Sequence, residues 1–346
     1  MDYKELLALE KRTHCNCRVC PVCNGVACKG ETPGVGGIGS GVSFINNRKA
    51  LDKIELLQDC ISDVSTVDTS TTLFGVKVDS PVMIAPIGSL KVNYGIDMDE
   101  YEYFHQVMCA ANDLNIIAFG GDGTQLDYFE KPLQVMDHYH GRGIPTMKPW
   151  VQEGLDLRFP LLDKYKHLAL AMDVDSAGLL ALQKSKIPVE CKSVDKLKMI
   201  VNHCANRPFI VKGIMSVEGA LKAVQAGASG IIISNHGGRV MDGSAGSMDV
   251  VKDIVTAVKG KCTILVDGGF RDGCDVFKAL ALGCDGVLIG RPFALACGIA
   301  KAEGVKAYYQ HVKSTLIHTM KMCGYATIDA IDDRCIHKVG GIYERI

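Results

Sequence analysis

From Val82 onward, short runs of aliphatic and β-branched residues recur along the chain, each bounded by Gly, Pro or polar residues. Ile231, Ile232 and Ile233 are the clearest case, lying between Gly230 and the Gly237-Gly238 pair. Three consecutive β-branched residues read as a strand buried on both faces, as in a parallel sheet. Runs of this kind predict strands over Val82–Pro86, Ile116–Phe119, Ile144–Lys148, Leu168–Asp173, Phe209–Gly213, Gly230–Ser234, Thr263–Asp267 and Gly286–Gly290. Amphipathic spacing between them predicts helices over Met98–Asn112, Val217–Ala226, Met248–Lys259 and Cys274–Leu282. AVQAGASGIIIS and ALALGCDGVLIG repeat one unit: a helix end, a Gly cap, a spacer pair, a second Gly and an apolar strand. Eight strands alternating with helices predict an α/β fold, a (β/α)8 TIM barrel. The piece between Asp173 and Phe209 reads as an extended loop with its own helix at Val194–His203, a lid or a wall of the site.

Residues 1–50 break this rhythm and read as an N-terminal arm ahead of a barrel over residues 51–346. Residues 1–12 predict a short amphipathic helix with Leu6, Leu7 and Leu9 on its apolar side. A Cys-rich extension follows, with Cys15, Cys17, Cys20, Cys23 and Cys28. Cys17, Cys20 and Cys23 have the C-x-x-C-x-x-C spacing that lets one loop present several thiolates to an iron–sulfur cluster or to zinc, with Cys28 or Cys15 as a fourth ligand. A free, exposed Cys-rich tail is the alternative. Gly34, Gly36 and Gly39 match G-x-G-x-x-G, but no strand precedes them, so a mobile hinge loop is the better reading.

Composition narrows the function. The 346 residues carry a formal net charge of −1, which offers no electrostatic case for nucleic acid. No apolar run is long enough to span a membrane. The charged N-terminus has no secretory pattern, and 15 cysteines without one point to a reducing cytoplasmic setting.

The strand ends carry the candidate chemistry, because α/β barrels place their sites at the C-terminal ends of their strands. After the sixth strand come Ser234, Asn235, His236, two glycines and Arg239: an ionisable imidazole, room for close backbone approach, and a fixed cation. After the seventh comes DGGFRDG, in which Gly268 and Gly269 admit an anion and Arg271 supplies donors ahead of a helix N-terminus. After the eighth comes Gly290-Arg291-Pro292, again backbone and Arg before a helix. Together these loops predict a phosphorylated ligand.

Lys212-Gly213, SNHGGR, DGGFRDGCDVFKALALG and IGRP resemble the FMN-dependent 2-hydroxy acid oxidase and dehydrogenase family, which contains glycolate oxidase and lactate oxidase. The similarity runs from about Val67 to Met322 and is densest from Pro208 to Phe293. The resemblance implies FMN, with its phosphate at Gly269, Arg271, Gly290 and Arg291 and with Asp267 and Gly268 also in the cofactor site. It implies backbone at Pro86, Ile87 and Gly88 against the flavin near N5, Lys212 facing N1/O2, and Ser234 and Lys148 at the ring edge. It also implies His236 as general base, Asp173 orienting that His, Arg239 on the substrate carboxylate, and a homo-oligomer, a tetramer. A small 2-hydroxy acid would be the substrate, and a protein electron acceptor is one way the electrons could leave.

The substrate half departs from the family pattern. No counterpart of its N-terminal carboxylate-binding Tyr is visible. Gly120-Gly121-Asp122-Gly123 stands for Ser-Ser-Trp, and DVDSAG lacks the second carboxylate-binding Arg. Lys148-Pro149-Trp150 stands for Gln-Leu-Tyr, which makes Trp150 a candidate substrate contact. Two other readings remain open at this stage. One is a different reaction on the same barrel, since DGGFRDGCDVFKALALG also resembles type II isopentenyl diphosphate isomerase. The other is a flavin- and metal-bearing electron-transfer protein.

Overall fold

All eight apolar runs become strands of one closed parallel barrel in a computed structural model, which describes residues 1–13, 15–205 and 207–337. The strands are β1 (Val82–Ile87), β2 (Ala118–Gly120), β3 (Gly143–Met147), β4 (Leu170–Asp173), β5 (Phe209–Ile214), β6 (Gly230–Ile233), β7 (Thr263–Val266) and β8 (Gly286–Ile289). Each pairs with the next in sequence, and β8 closes on β1 through Val287↔Val82 to Ile289↔Ile84. The predicted helices appear with ends shifted by a residue or two, as Glu100–Leu114, Val217–Gln225, Ser247–Val258 and Gly273–Ala281. The helix in the loop after β4 spans Val194–His203, the predicted residues, and is capped by the Ser193 hydroxyl. Gly227 and Gly283 hold the left-handed conformations (φ 92 and 94) that their place after a helix requires. No helix among the described residues is long and apolar enough to cross a membrane.

Both faces of the strands are buried, but in two separate cores. Met83, Ala85, Ile117, Phe119, Ile144, Ala171, Ile210, Ile232, Leu265 and Leu288 fill the barrel interior. Their strand neighbours Val82, Ile84, Ala118, Met172, Val211, Ile231, Ile233, Val266 and Val287 pack outward against the helices. The period of two then fixes what comes next. One step beyond the apolar interior layer, the inward positions at the C-terminal ends are Lys148, Asp173, Lys212, Ser234 and Asp267. All five are buried, so the top of the barrel is closed by a polar layer.

The arm is part of the same body. Leu6 of α1 (Tyr3–Glu10) and Leu51 of α2 (Val42–Asp52) are fully buried in the outer core. The Gly-rich loop ahead of α2 is pinned to the barrel mouth and is not a free hinge: the Arg291 guanidinium donates to Val35 O at 2.7 Å and to Gly36 O at 3.0 Å.

Candidate active site

The polar layer is an ion network. Lys148 Nζ donates to Asp173 Oδ2 at 2.7 Å and to Ser176 Oγ at 3.0 Å. Lys212 Nζ lies 3.0 Å from Asp173 Oδ1, 3.4 Å from Asp267 Oδ2 and 3.2 Å from Ser234 Oγ. Burial by itself would push the Asp173 carboxyl up, but Lys148, Lys212 and His236 together hold it well below its ordinary range. Burial likewise opposes the Lys212 charge, and Asp173, Asp267 and Asp175 overcome it, so its pKa is raised.

His236 sits just above this layer in a left-handed conformation (φ 57), its backbone N–H donating to Ser234 Oγ at 3.0 Å. Its orienting carboxylate is Asp175, not Asp173: Nδ1 lies 3.1 Å from Asp175 Oδ1. The reason is again the period of two. Asp173 ends β4 pointing inward, where two lysines claim it, and the 3-10 turn Val174–Gly178 brings Asp175 round to the imidazole. Asp173 stays close, since one ligand atom each from Asp173, Asp175 and His236 lies within 4.8 Å of the others.

α2 supports both active-site loops from behind, which its sequence does not announce. Asn47 Nδ2 donates to Asn235 Oδ1 at 2.8 Å, and Asn235 Nδ2 donates to Ser43 O and Ala245 O. Arg48 donates to Gly269 O at 2.7 Å and to Asp275 Oδ2 at 2.5 Å. Gly238 (φ 77) packs against the Phe44 backbone so closely that a Cβ would collide with it. At Gly268 (φ 103) a Cβ would meet Ser247 Oγ and the Asn47 side chain, and at Gly269 (φ 90) it would crowd the Asn47 backbone.

These parts line a cavity of about 420 Å³. Pro86, Ile87, Gly88, Lys148, Asp173, Lys212, Asp267, Gly268 and Gly269 line it, together with Arg271, Gly290 and Arg291. Arg239, Arg271 and Arg291 converge there, and none has a carboxylate partner within ion-pair distance among the described residues. Burial, reinforced by the other two guanidinium groups, pushes Arg291 down to about 10. Their donors go to neutral acceptors instead. Arg239 reaches Gly34 O and Asn93 Oδ1, Arg271 reaches Phe270 O and the Cys23 backbone and sulfur, and Arg291 lies 4.2 Å over the Phe44 ring. Arg271 Nε is buried without a partner, as is Asp267 Oδ1. Crowded cations without counter-charges favour anionic ligands. A phosphate at the Arg271–Arg291 end and a carboxylate at Arg239 would supply them, so the residues fit FMN and an acidic substrate.

Two expected contacts are not formed. Trp150 is 1% exposed and does not reach the cavity; its indole N–H donates to Asp122 Oδ2 at 2.6 Å, and the Arg158 guanidinium covers its ring at 4.2 Å. The Arg158–Asp122 pair, buried at 2.8 Å, captures the position that would otherwise carry a substrate-facing ring. Trp150→Phe should therefore lower stability by the ~1–3 kcal/mol of a lost buried hydrogen bond, seen as a lower melting temperature, and leave KM unchanged. A large KM increase would return Trp150 to the substrate site. Nor do Cys17, Cys20, Cys23 and Cys28 form a single-ion site: among the described residues, only Asp173, Asp175 and His236 bring three such ligand atoms within 4.8 Å. Tetrahedral zinc, with bonds of ~2.3 Å, would need its sulfurs about 3.8 Å apart.

Beyond Asp175 and α2, the residues at the mouth that the motifs do not reveal are Asn93, which holds Arg239, and Tyr94, buried at the cavity wall. An alternating Asp-x-Asp at a strand end was the available signal for Asp175; the other two have none.

Known proteins share this fold. Residues 35–116 and 163–338 match the FMN-dependent dehydrogenase family. A peroxisomal (S)-2-hydroxyacid oxidase of Arabidopsis thaliana is 30% identical over 82% of this chain and 85% of its own. A 4-hydroxymandelate oxidase of Amycolatopsis orientalis is 29% identical over 85% and 90%. The structure of a mandelate oxidase variant with 2-hydroxy-phenylacetamide superposes with a TM-score of 0.76 at 26% identity, covering 98% of each chain. Family match, barrel and cavity agree: the chain belongs to the FMN-dependent dehydrogenase family, and FMN is its cofactor.

Proposed function

We propose that this enzyme oxidises a 2-hydroxy acid to the 2-oxo acid, with His236 as the general base and Arg239 as the carboxylate anchor. The observation that carries this reading is the His236–Asp175 pair, 3.1 Å apart, with His236 lining the same cavity as Lys212 and Arg239. FMN, when bound, would supply the acceptor for the hydride equivalent leaving C2. Every other task falls to the chain. Asp175 fixes the imidazole through Nδ1, so Nε2 is the atom left to take the hydroxyl proton, and the carboxylate stabilises the imidazolium that forms. Arg239 uses two of its five donors on Gly34 and Asn93, leaving a planar edge for a carboxylate. Lys212 lies beneath, as a fixed positive charge held by two carboxylates. The wall formed by Val92, Leu179, Leu180 and Leu182 is apolar, which favours a 2-hydroxy acid with a hydrophobic side chain.

The test is direct. Flavin released by denaturation should be FMN, and anaerobic addition of 2-hydroxy acids should bleach the visible flavin absorbance, fastest with hydrophobic side chains. Release of FAD, or no bleaching by any member of such a panel, overturns the reading. Arg239→Lys should raise KM by ~10–150-fold, the equivalent of one charged hydrogen bond, because an ammonium does not reproduce the bidentate geometry. Steady-state kinetics with kcat separated from KM checks this.

A further inference from the structure

The cysteines of the arm are the one motif that flavin chemistry leaves unexplained. We propose that Cys17, Cys20, Cys23 and Cys28 ligate an iron–sulfur cluster at the barrel mouth, beside the phosphate loop, which takes electrons from FMN one at a time.

The spacing C-x2-C-x2-C-x4-C places four thiols in one short loop. All are free, and all are half-buried on the protein surface. The loop is built and docked. Asn16 N–H donates to Tyr94 O at 2.7 Å, and Arg18 closes the loop through Ala27 O at 2.8 Å and Glu31 at 2.6 Å. Gly30 N–H donates to Gly37 O at 2.9 Å. Val19 (φ 46) and Gly25 (φ 83) turn the backbone into left-handed conformations, and Val19 N–H points at Cys17 Sγ from 3.5 Å. Turns that aim backbone N–H groups inward are how loops hold anionic clusters, and N–H contacts to sulfur tune them. Cys15, Cys17 and Cys28 all pack against the outer core, and Cys15 and Cys28 each donate a thiol to a backbone carbonyl; Cys15 is the spare fifth because it stands outside the C-x2-C-x2-C-x4-C run. No three of the described sulfurs lie within 4.8 Å of one another, and a multi-iron cluster spreads its cysteine ligands more widely than a single ion does.

The cluster's position supplies the electron route. Cys23 Sγ lies 3.2 Å from Arg271 Nη2, and Arg271 lines the FMN cavity. A single side chain thus joins the two sites, and its fixed charge offsets that of a thiolate-ligated cluster. Oxidation of one 2-hydroxy acid to the 2-oxo acid releases two electrons and two protons. The cluster accepts the electrons in two successive one-electron steps and passes each to a one-electron carrier protein, while the protons go to solvent. Cluster binding stands on the arm alone; only the electron route rests on the proposed reaction.

The full-length protein, purified anaerobically, should contain about four iron and four acid-labile sulfide per chain and give an EPR signal of a reduced cluster with dithionite. The same signal should appear when a flavin-bleaching 2-hydroxy acid is added instead. Cys20→Ser and Cys23→Ser should each lose iron and the signal while retaining FMN, which also shows that they fold. Cys15→Ser should keep both iron and signal. Zinc in place of iron, no cluster after reconstitution with iron and sulfide, or full iron in the Cys20→Ser, Cys23→Ser double variant overturns the site. A substrate that bleaches the flavin but never reduces the cluster overturns the route. An intact cluster with no bleaching by any 2-hydroxy acid counts against the proposed reaction alone.

Discussion

His236→Ala should yield a yellow, FMN-loaded protein whose flavin 2-hydroxy acids reduce ~10²–10⁴-fold more slowly, the usual contribution of a positioned general base. FMN retention is expected because the imidazole's side-chain partner is Asp175, and it has no hydrogen bond to Arg271, Arg291 or Lys212, which line the same cavity. Photoreduction of the bound flavin should be unaffected, because it needs no proton from substrate. Asp175→Asn should fall in the same direction with a smaller loss, since the amide keeps the 3.1 Å contact but no longer stabilises an imidazolium. Asp173→Asn should act differently, weakening the Lys148–Lys212 network and lowering stability. Stopped-flow reduction of the three variants separates these roles. If His236→Ala reduced its flavin at the parental rate, His236 would not be the base.

Lys212→Met should damage stability and catalysis together. The side chain is about the right size, so the cost is electrostatic. Asp173 and Asp267 lose their shared counter-charge in a site where each is under a tenth exposed. Stranding buried charges costs ~3–5 kcal/mol, a fall in melting temperature on the order of 5–10 °C for a chain of this size. The pH dependence has a definite sign. Asp173 has a lowered folded pKa, so its contribution is present above the unfolded value of 3.8 and is lost as pH falls through the folded one. Lys212 has a raised folded pKa, so its contribution is present below the unfolded value of 10.5 and is lost only above the folded one. The parental network is therefore constant across neutral pH and is lost in strong acid, and Lys212→Met should flatten that acid limb. If Lys212 faces the flavin as proposed, the variant should also reduce its FMN more slowly, because a fixed positive charge lining the cavity is gone. A Lys212→Met protein as stable as the parent would show that the carboxylates find other partners.

The barrel was legible because its signal is local. A run such as Ile231–Ile233 is apolar on both faces wherever it folds, and eight such runs separated by helical patterns have few ways to bury themselves. Strand ends inherit their importance from that fold, so His236, Lys212, Arg239, Arg271 and Arg291 could be picked out as residues that follow strands. Tertiary structure decided which neighbour each one meets. Asp173 and Asp175 differ by two positions, and only the end of β4 and the 3-10 turn after it determine that the first serves two lysines and the second the imidazole. Trp150 looked like a substrate contact until Arg158, on the Gln152–Lys164 helix, and Asp122, in the loop after β2, closed around it. α2 is a weakly amphipathic segment in an irregular arm, yet Asn47 and Arg48 brace both ligand loops across about 200 residues of sequence. Periodicity and strand-end position depend on nearest neighbours along the chain, so sequence alone determined the barrel and the location of its site. Pairing of charges and bracing of loops depend on long-range contacts that leave no periodic trace, and only the folded chain decided them.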